Sequence, residues 1–425
     1  MLREGTGIAT YGRNLAATLS GNGFSVDVLI GTDKRLAPGD PTRNAISLFD
    51  AVRPVPWSPM QRRLRGWFGA PFGIPAHKVP LDGVVADHLA ARFRGFDTVR
   101  AATDLEPLAR CHFGRHSRRV KIKLAEPPSL LHTTQPIPIA VDGCPNLYTI
   151  HDLVPLKLPD TTRDQKPYIL AMLRHLCRTA DHIVTVSEFS RREIIQFFGV
   201  AEDRVTSTYQ AVTLPAAALA WKDDDIAALL DGVYGLPPQK YFLFVGAIEP
   251  KKNLARLIDA YAASGSNYPL IIVGGLAWQY DQELEKIADE RFLRYEIAGG
   301  WAIPRRLVRR LSYVSAEHLV TLMRGARALL FPSLYEGFGL PVLEAMSLGT
   351  PVMTSNLASL PEIAGGAALL VDPLDIDAMG RAIRGLDHDA DLRAELRMRG
   401  LARAEFFSPE NYRQRVADLY ARVLG

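Results

Sequence analysis

The stretch "YEGFGLPVLEAMSLGTPVMTSN", residues 335–356, sets two carboxylates, Glu336 and Glu344, on either side of a Gly-Phe-Gly and a proline. It follows the short apolar run "ALLFPS", which reads as a buried strand. Gly337 and Gly339 permit a close backbone approach. Pro341 suits the first turn of a helix that runs to about Leu348 and is closed by Gly349. Free amides at such a helix start, with the positive end of its dipole, attract a phosphate. Two acids beside an anion site repel the anion unless they accept hydrogen bonds from nearby hydroxyls. A sugar joined through phosphates to a nucleoside offers sugar hydroxyls to one acid and ribose hydroxyls to the other. In isolation the same pair also suits a dipole-complementing Glu336 and a solvated Glu344.

Outward from this stretch, short apolar runs alternate with helical patterns. The runs are "SVDVLIG", "NLYTI" ending at Ile150, "HIVTV" ending at Val186, "YFLFVG", "PLIIVGG", "TPVMTS" and "ALLVDP". Continuous apolar strands separated by helices predict an α/β protein with parallel sheets covered on both faces. The rhythm breaks at residues 216–240, with prolines and an acidic run, which divides the chain into a first doubly wound domain over 1–215 and a second over 241–407. The helical segment 408–425 is expected to pack back on the first domain. Ser190 and Glu193 read as a capping box before Gly199, Asn253 as the N-cap of "LARLIDAYAAS", and Ile8, Tyr11, Leu15 and Leu19 as one helix face.

A chain of 425 residues, 48% hydrophobic and 23% charged, is globular and too long for one ordinary core. Its net charge of +4 is small, but Arg110, Arg115, Arg118, Arg119, Lys121 and Lys123 lie in a stretch without acids. That stretch reads as a solvated basic loop or a surface for an anionic membrane. "MQRRLRGWFGAPF" from Met60 interleaves arginines with Trp67 and Phe68, as interfacial segments do. Three scattered cysteines indicate neither a disulfide framework nor zinc, so a reduced, cytoplasmic setting is expected. The start of the sequence carries no signal-peptide pattern, and no apolar run is long enough to span a membrane.

Ligands of open parallel sheets bind outside the carboxyl ends of strands. Lys251 and Lys252 follow one such strand, where an ammonium would neutralise a diphosphate. His151, with Asp152, follows another and Ser187 the next. "GTGIATYGRNLAATL" offers Gly5 and Gly7 before a helix, but Thr10 stands where G-x-G-x-x-G needs its last glycine. A nicotinamide-dependent oxidoreductase is therefore disfavoured.

Together these residues resemble the retaining glycosyltransferases of family 4, which have the two-domain GT-B fold. The resemblance runs through "GTGIATYGRNL", "TIHDLVPL", "VTVSEFSRREI", "VGAIEPKKNL", "LSYVSAEHL" and the block after "FPSLYEGFG". "IHDLVPL" and "IEPKKNL" look most like bacterial mannosyltransferases of exopolysaccharide and O-antigen synthesis. The resemblance implies that Glu336 contacts the transferred sugar, Glu344 the ribose, and Lys252 the diphosphate, with the amides of Phe338, Gly339 and Leu340. It implies that His151 and Ser187 reach toward the donor sugar, that Gly7 lies at the donor, and that backbone near Tyr313 to Ala316, including Val314, holds the base. Ala247 replaces an arginine common in the family, so the diphosphate clamp would rest on Lys251 and Lys252. Catalysis would need no metal and no cofactor, GDP-mannose being the expected donor substrate. A saccharide or lipid-linked saccharide is the expected acceptor, met at the cytoplasmic membrane face, and nucleic acid is not a partner. A glycoside phosphorylase of the same fold is the alternative within that architecture. Relatives also place a central strand before the glycine loop, whereas only Met1 to Glu4 precede it here. The expectation is a missing first strand, through a misassigned start or a truncation.

Overall fold

The computed structural model describes residues 7–50, 58–80, 93, 95–298 and 301–425. The chain enters through α1 (Gly7–Gly21), which buries Ala9, Tyr11, Leu15, Ala16 and Leu19. Ile8, expected on the same face, is exposed, although its neighbour Ala9 is buried. The first half continues through β1 (Asp27–Thr32), β2 (His77–Val79), β3 (Thr98–Thr103), α2 (Leu105–His116), β4 (Leu131–Thr133), β5 (Asn146–Thr149), β6 (His182–Thr185), α3 (Glu188–Phe198) and β7 (Val205–Ser207).

Parallel pairing dominates, but the first half is divided among the described residues. β1 pairs parallel with β3, and β3 antiparallel with β2, while β7, β6, β5 and β4 form a separate parallel sheet in that order. The two sheets do not pair with each other across β1 and β4. Between them lies a cavity of about 510 Å³, lined in part by Leu15, Leu19, Val28, Leu29, Leu131 and Thr133. Met1–Glu4 and Gly5, on which the expectation of a missing strand rests, lie outside the described residues.

Four of the six basic residues expected in a loop belong instead to regular elements, while Arg118 and Arg119 lie in the turn between them. Arg110 and Arg115 are on α2, and Lys121 and Lys123 are on the strand Val120–Lys123. The guanidinium of Arg110 lies over the Tyr168 ring, that of Arg115 over Trp67, and Arg119 donates to the Tyr148 hydroxyl at 3.0 Å. Aromatic faces and a phenol oxygen thus hold three of the six, while all but Arg119 stay exposed.

The second half follows the strand–helix rhythm closely: β8 (Phe242–Val245), α4 (Leu254–Ser264), β9 (Leu270–Val273), the hairpin β10 (Leu293–Ala298) and β11 (Trp301–Arg306), β12 (Val308–Leu311), α5 (Ala316–Gly325), β13 (Ala328–Phe331), α6 (Leu340–Ser347), β14 (Val352–Ser355), α7 (Leu360–Ala364) and β15 (Leu369–Val371). Six strands form one sheet in the order β12-β9-β8-β13-β14-β15, parallel throughout. β8, β9, β13 and β14 are buried at every position; the first three are apolar throughout, while β14 also buries Thr354 and Ser355. The strand order reverses between β8 and β13, which opens a crevice at their carboxyl ends.

Residues 216–240 carry short helices and no strand. They pack on α5: Arg324 donates to the Trp221 carbonyl at 3.0 Å, and a Cβ on Gly325 would meet Leu230. The last helix, α8 (Pro409–Leu424), is capped by Ser408 and returns to the first half. His132 Nδ1 lies 2.8 Å from the Tyr420 hydroxyl.

Candidate active site

The carboxyl ends of β8 and β13 are neighbours, so the residues that follow them meet. Lys252 Nζ lies 2.5 Å from Glu336 Oε1, and Glu336 is only 9% exposed. Burial pushes the Glu336 carboxyl up, but Lys252 and then Lys251 outweigh it and hold the group below its ordinary range. Lys251 lies 3.5 Å from Glu249 Oε1. Burial opposes the charge on Lys251, yet Glu336, Asp152 and Glu249 together raise its pKa. Two ammonium groups and two carboxylates thus share one strand-end site. Asn253 does precede α4, but as an αL residue whose side chain donates to the Pro332 and Pro373 carbonyls rather than to the helix.

The loop between β13 and α6 needs its glycines for different reasons. Gly339 has φ of 104°, where a side chain is strained. At Gly337 the obstacle is the first domain: an added Cβ would lie 2.4 Å from the His151 carbonyl oxygen. Ser359 Oγ lies 2.8 Å from the Glu336 carbonyl and 2.9 Å from that of Phe338, fixing the loop from behind. The amides of Phe338, Gly339 and Leu340 therefore open α6 from a fixed turn, with Pro341 in its first turn.

His151 follows β5 and faces this loop. Its Nε2 donates to the Thr134 carbonyl at 2.8 Å; because a carbonyl can only accept, Nδ1 is left as the acceptor nitrogen. Burial lowers its pKa against the opposing pull of that carbonyl and Asp152, so the ring is neutral near pH 7. The edge of Tyr11, from α1, packs on it at 4.9 Å between centroids.

Ser187 follows β6. It is fully buried, caps α3 by accepting from the Ser190 amide at 3.1 Å, and donates to the Gly337 carbonyl at 2.7 Å. Its hydroxyl ties the two halves of the chain together. The expected Ser190–Glu193 capping box is replaced, since the helix starts one turn earlier and Ser187 is its cap. Ser190 Oγ donates to the His151 carbonyl at 2.9 Å.

Glu344 stands on α6 with no partner among the described residues, and burial alone raises its pKa to about 7. Gly7 opens α1 against Leu340, 3.8 Å from where its Cβ would sit. Val314 packs beside the core just before the Ser315 cap of α5. The raised pKa has a stability consequence. A carboxyl whose folded pKa exceeds its unfolded value, near 4.3, opposes folding increasingly as pH rises from that value through about 7. Glu344→Gln is therefore expected to raise the melting temperature by a few degrees at pH 8 and by much less at pH 5. Equal gains at both would show that ionisation of Glu344 is not the cause.

The profile described as "Glycosyl transferases group 1" matches residues 233–403, and "Glycosyltransferase Family 4" matches residues 84–214. The O-antigen chain mannosyltransferase B of Escherichia coli is 37% identical over 280 residues, covering 64% of this chain and 69% of that protein. The chain is a family 4 glycosyltransferase. The serotype-specific mannosyltransferase WbdA of Escherichia coli is 29% identical over 296 residues, 68% of this chain but only 35% of that longer protein. The sucrose-phosphate synthase of Thermosynechococcus elongatus superposes with a TM-score of 0.62 at 19% identity, over 97% of this chain and 92% of that one. That likeness shows the GT-B fold.

Several residues that shape the glycosyltransferase site carry no local signal. Glu249 is one, an acid beside two lysines whose own pKa burial raises. Glu362 on α7 is another: its two carboxylate oxygens accept from the amides of Glu188 and Phe189, 2.8 Å each, at the positive end of α3. Glu193 pairs with Lys157 at 2.6 Å and accepts from the Tyr335 hydroxyl. Tyr335, Gly337 and Glu362 belong to the second domain and their partners to the first. Contacts around the Tyr335–Leu340 loop therefore hold the two halves together.

Proposed function

We propose that this glycosyltransferase moves mannose from GDP-mannose, with retention and without a metal, to a saccharide or lipid-linked saccharide acceptor in cell-envelope polysaccharide synthesis. The observation that carries the reading is the Lys252–Glu336 pair beneath the glycine-rich start of α6. As the nucleoside diphosphate departs, negative charge develops on its oxygens. Lys251, Lys252 and the amides of Phe338, Gly339 and Leu340 are the groups placed to stabilise it. Glu336 is kept ionised beside the same lysines, where it can accept from sugar hydroxyls. Glu344 would take the ribose and the backbone near Val314 the base. In a retaining transfer the acceptor approaches from the leaving-group side, and a phosphate oxygen can take its proton. Mannose as the sugar is supported by the names of the curated relatives, among them the O-antigen chain mannosyltransferase RfbU of Salmonella typhimurium, 28% identical over 273 residues.

The acceptor reading is supported by the first domain's surface. Phe68 and Phe72 are 66% and 75% exposed beside Trp67, over which Arg63 and Arg115 lie at 5.6 and 5.5 Å. No described helix is long and apolar enough to cross a membrane, so the contact proposed is peripheral, at the cytoplasmic face. The test is a thermal-shift series with GDP-, UDP- and dTDP-sugars, followed by transfer assays with and without chelator and assignment of the product anomer. Stabilisation by GDP-mannose and unchanged turnover in chelator are expected. Failure of every nucleotide sugar to stabilise the protein would sink the donor assignment.

A further inference from the structure

Between strands β9 and β12 the chain leaves the second domain as a two-stranded hairpin, β10 and β11, that forms no ladder with any other strand among the described residues. Its cross-strand pairs are Arg294 with Arg305, Tyr295 with Pro304, Glu296 with Ile303, and Ile297 with Ala302. Residues directly opposite share a face, so Tyr295 and Ile297 lie on one side, and Ile303 and Trp301 on the other. All four are exposed: Ile297 by 80%, Trp301 by 78%, Tyr295 by 66% and Ile303 by 45%. An isolated two-stranded ribbon is marginal in water, and large apolar side chains on both of its faces add to that cost.

Charge is distributed unevenly along the ribbon. Six arginines and three acids lie between Asp289 and Arg310. Arg291, Arg294, Arg305 and Arg306 gather at the base, whereas Ile297 and Trp301 are near the tip. Arg305 finds Glu296, and Arg291 finds Asp259 at 3.0 Å, but Arg294 donates only to the Arg291 and Leu293 carbonyls and stands directly opposite Arg305. Like charges placed opposite each other repel, and a bound anion relieves them. A protein partner would cover one face of so narrow a ribbon. An acyl layer surrounds both, with tryptophan and tyrosine at the boundary and arginines at the headgroups.

We propose that the hairpin of β10 and β11 is a membrane finger that inserts Ile297 and Trp301 among the lipids of an anionic bilayer while its basal arginines hold phosphate headgroups. It is a contact of the second domain, separate from the Trp67 region of the first. The inference extends the reading of a membrane-side acceptor, and the experiment keeps the two apart because vesicle binding is read without nucleotide or acceptor. The full-length protein is sedimented with phosphatidylcholine vesicles, with and without phosphatidylglycerol. Binding should require the anionic lipid and weaken with salt. Ile297→Ser combined with Trp301→Ser should weaken it about tenfold or more, with donor-induced thermal stabilisation unchanged, since neither residue touches the site. Lipids brominated on the acyl chain should quench wild-type tryptophan fluorescence, and that quenching should drop in Trp301→Phe. Unaltered vesicle binding of the double variant, quenching that is the same in Trp301→Phe, or a loss of self-association caused by the double variant in lipid-free solution would each overturn the proposal.

Discussion

Turnover is expected to fall about 100-fold or more when Glu336 is replaced by glutamine, and by a similar factor in His151→Ala. Glutamine keeps the shape of Glu336 and one acceptor oxygen but removes the charge that Lys252 compensates at 2.5 Å. The ion pair sits where the leaving diphosphate and the sugar would meet, so the loss should appear in turnover more than in ground-state donor affinity. His151 contributes a neutral ring oriented through Thr134 and packed by Tyr11. Its removal leaves the His151 carbonyl, and so the contact with Gly337, in place, which separates a chemical role from a scaffolding one. Steady-state kinetics with the wild-type donor decides the matter: near-normal turnover of Glu336→Gln would reduce the glycine-flanked acid to a structural element.

Lys252→Ala should act on both binding and turnover. Affinity for the nucleoside diphosphate is expected to weaken about tenfold and turnover to drop by about 100-fold, because the ammonium meets the same phosphates in the ground state and more strongly as charge develops. The vacancy also strands Glu336. Its ionised form depends on Lys252 and Lys251 against a burial that favours protonation, so the carboxyl should titrate higher in the variant. Activity of Lys252→Ala should consequently recover partly as pH rises, a trend that Lys252→Ala combined with Glu336→Gln should lack. The two substitutions should be far from additive, since each removes half of one pair. Full additivity, or a pH profile identical in the single and double variants, would show that the residues act separately. Titration calorimetry and pH–rate profiles supply the readouts.

The strands and the donor loop were legible because burial on both faces writes itself as an unbroken apolar run. β8, β9, β13 and β14 each fall within the stretch that predicts them. Lys252 and Glu336 could be paired in advance only through the rule that strand ends line the crevice, since 84 positions separate them. The contact of Ser187 across the two halves was hidden for the same reason. Its decisive partner, the Gly337 carbonyl, is 150 positions away, and nothing near "VTVSEFS" signals it. The capping box at Ser190 matched a valid pattern, but Ser187 offers an equally good cap three residues earlier and the helix begins there. The hairpin was missed although its first strand alternates, with Arg294 and Glu296 on one face and Tyr295 and Ile297 on the other. The basic cluster was read as a loop because a charge run does not show that Arg110 and Arg115 sit on a helix and Lys121 and Lys123 on a strand.

The return of α8 to the first half has a consequence for synthesis. Asn22 donates to the Arg413 carbonyl across 391 positions, and Tyr420 closes on His132 beside Phe24. At translation rates of roughly 5–20 residues per second, about 20–80 s separate the appearance of α1 from that of the helix that covers it. During that interval the second domain, whose six strands and helices are contiguous in sequence, can close its own core. The first domain waits with the flank of α1 uncovered. The first domain is therefore expected to complete its packing only once α8 emerges, and chaperone binding to ribosome-bound intermediates should concentrate on the segment that appears first.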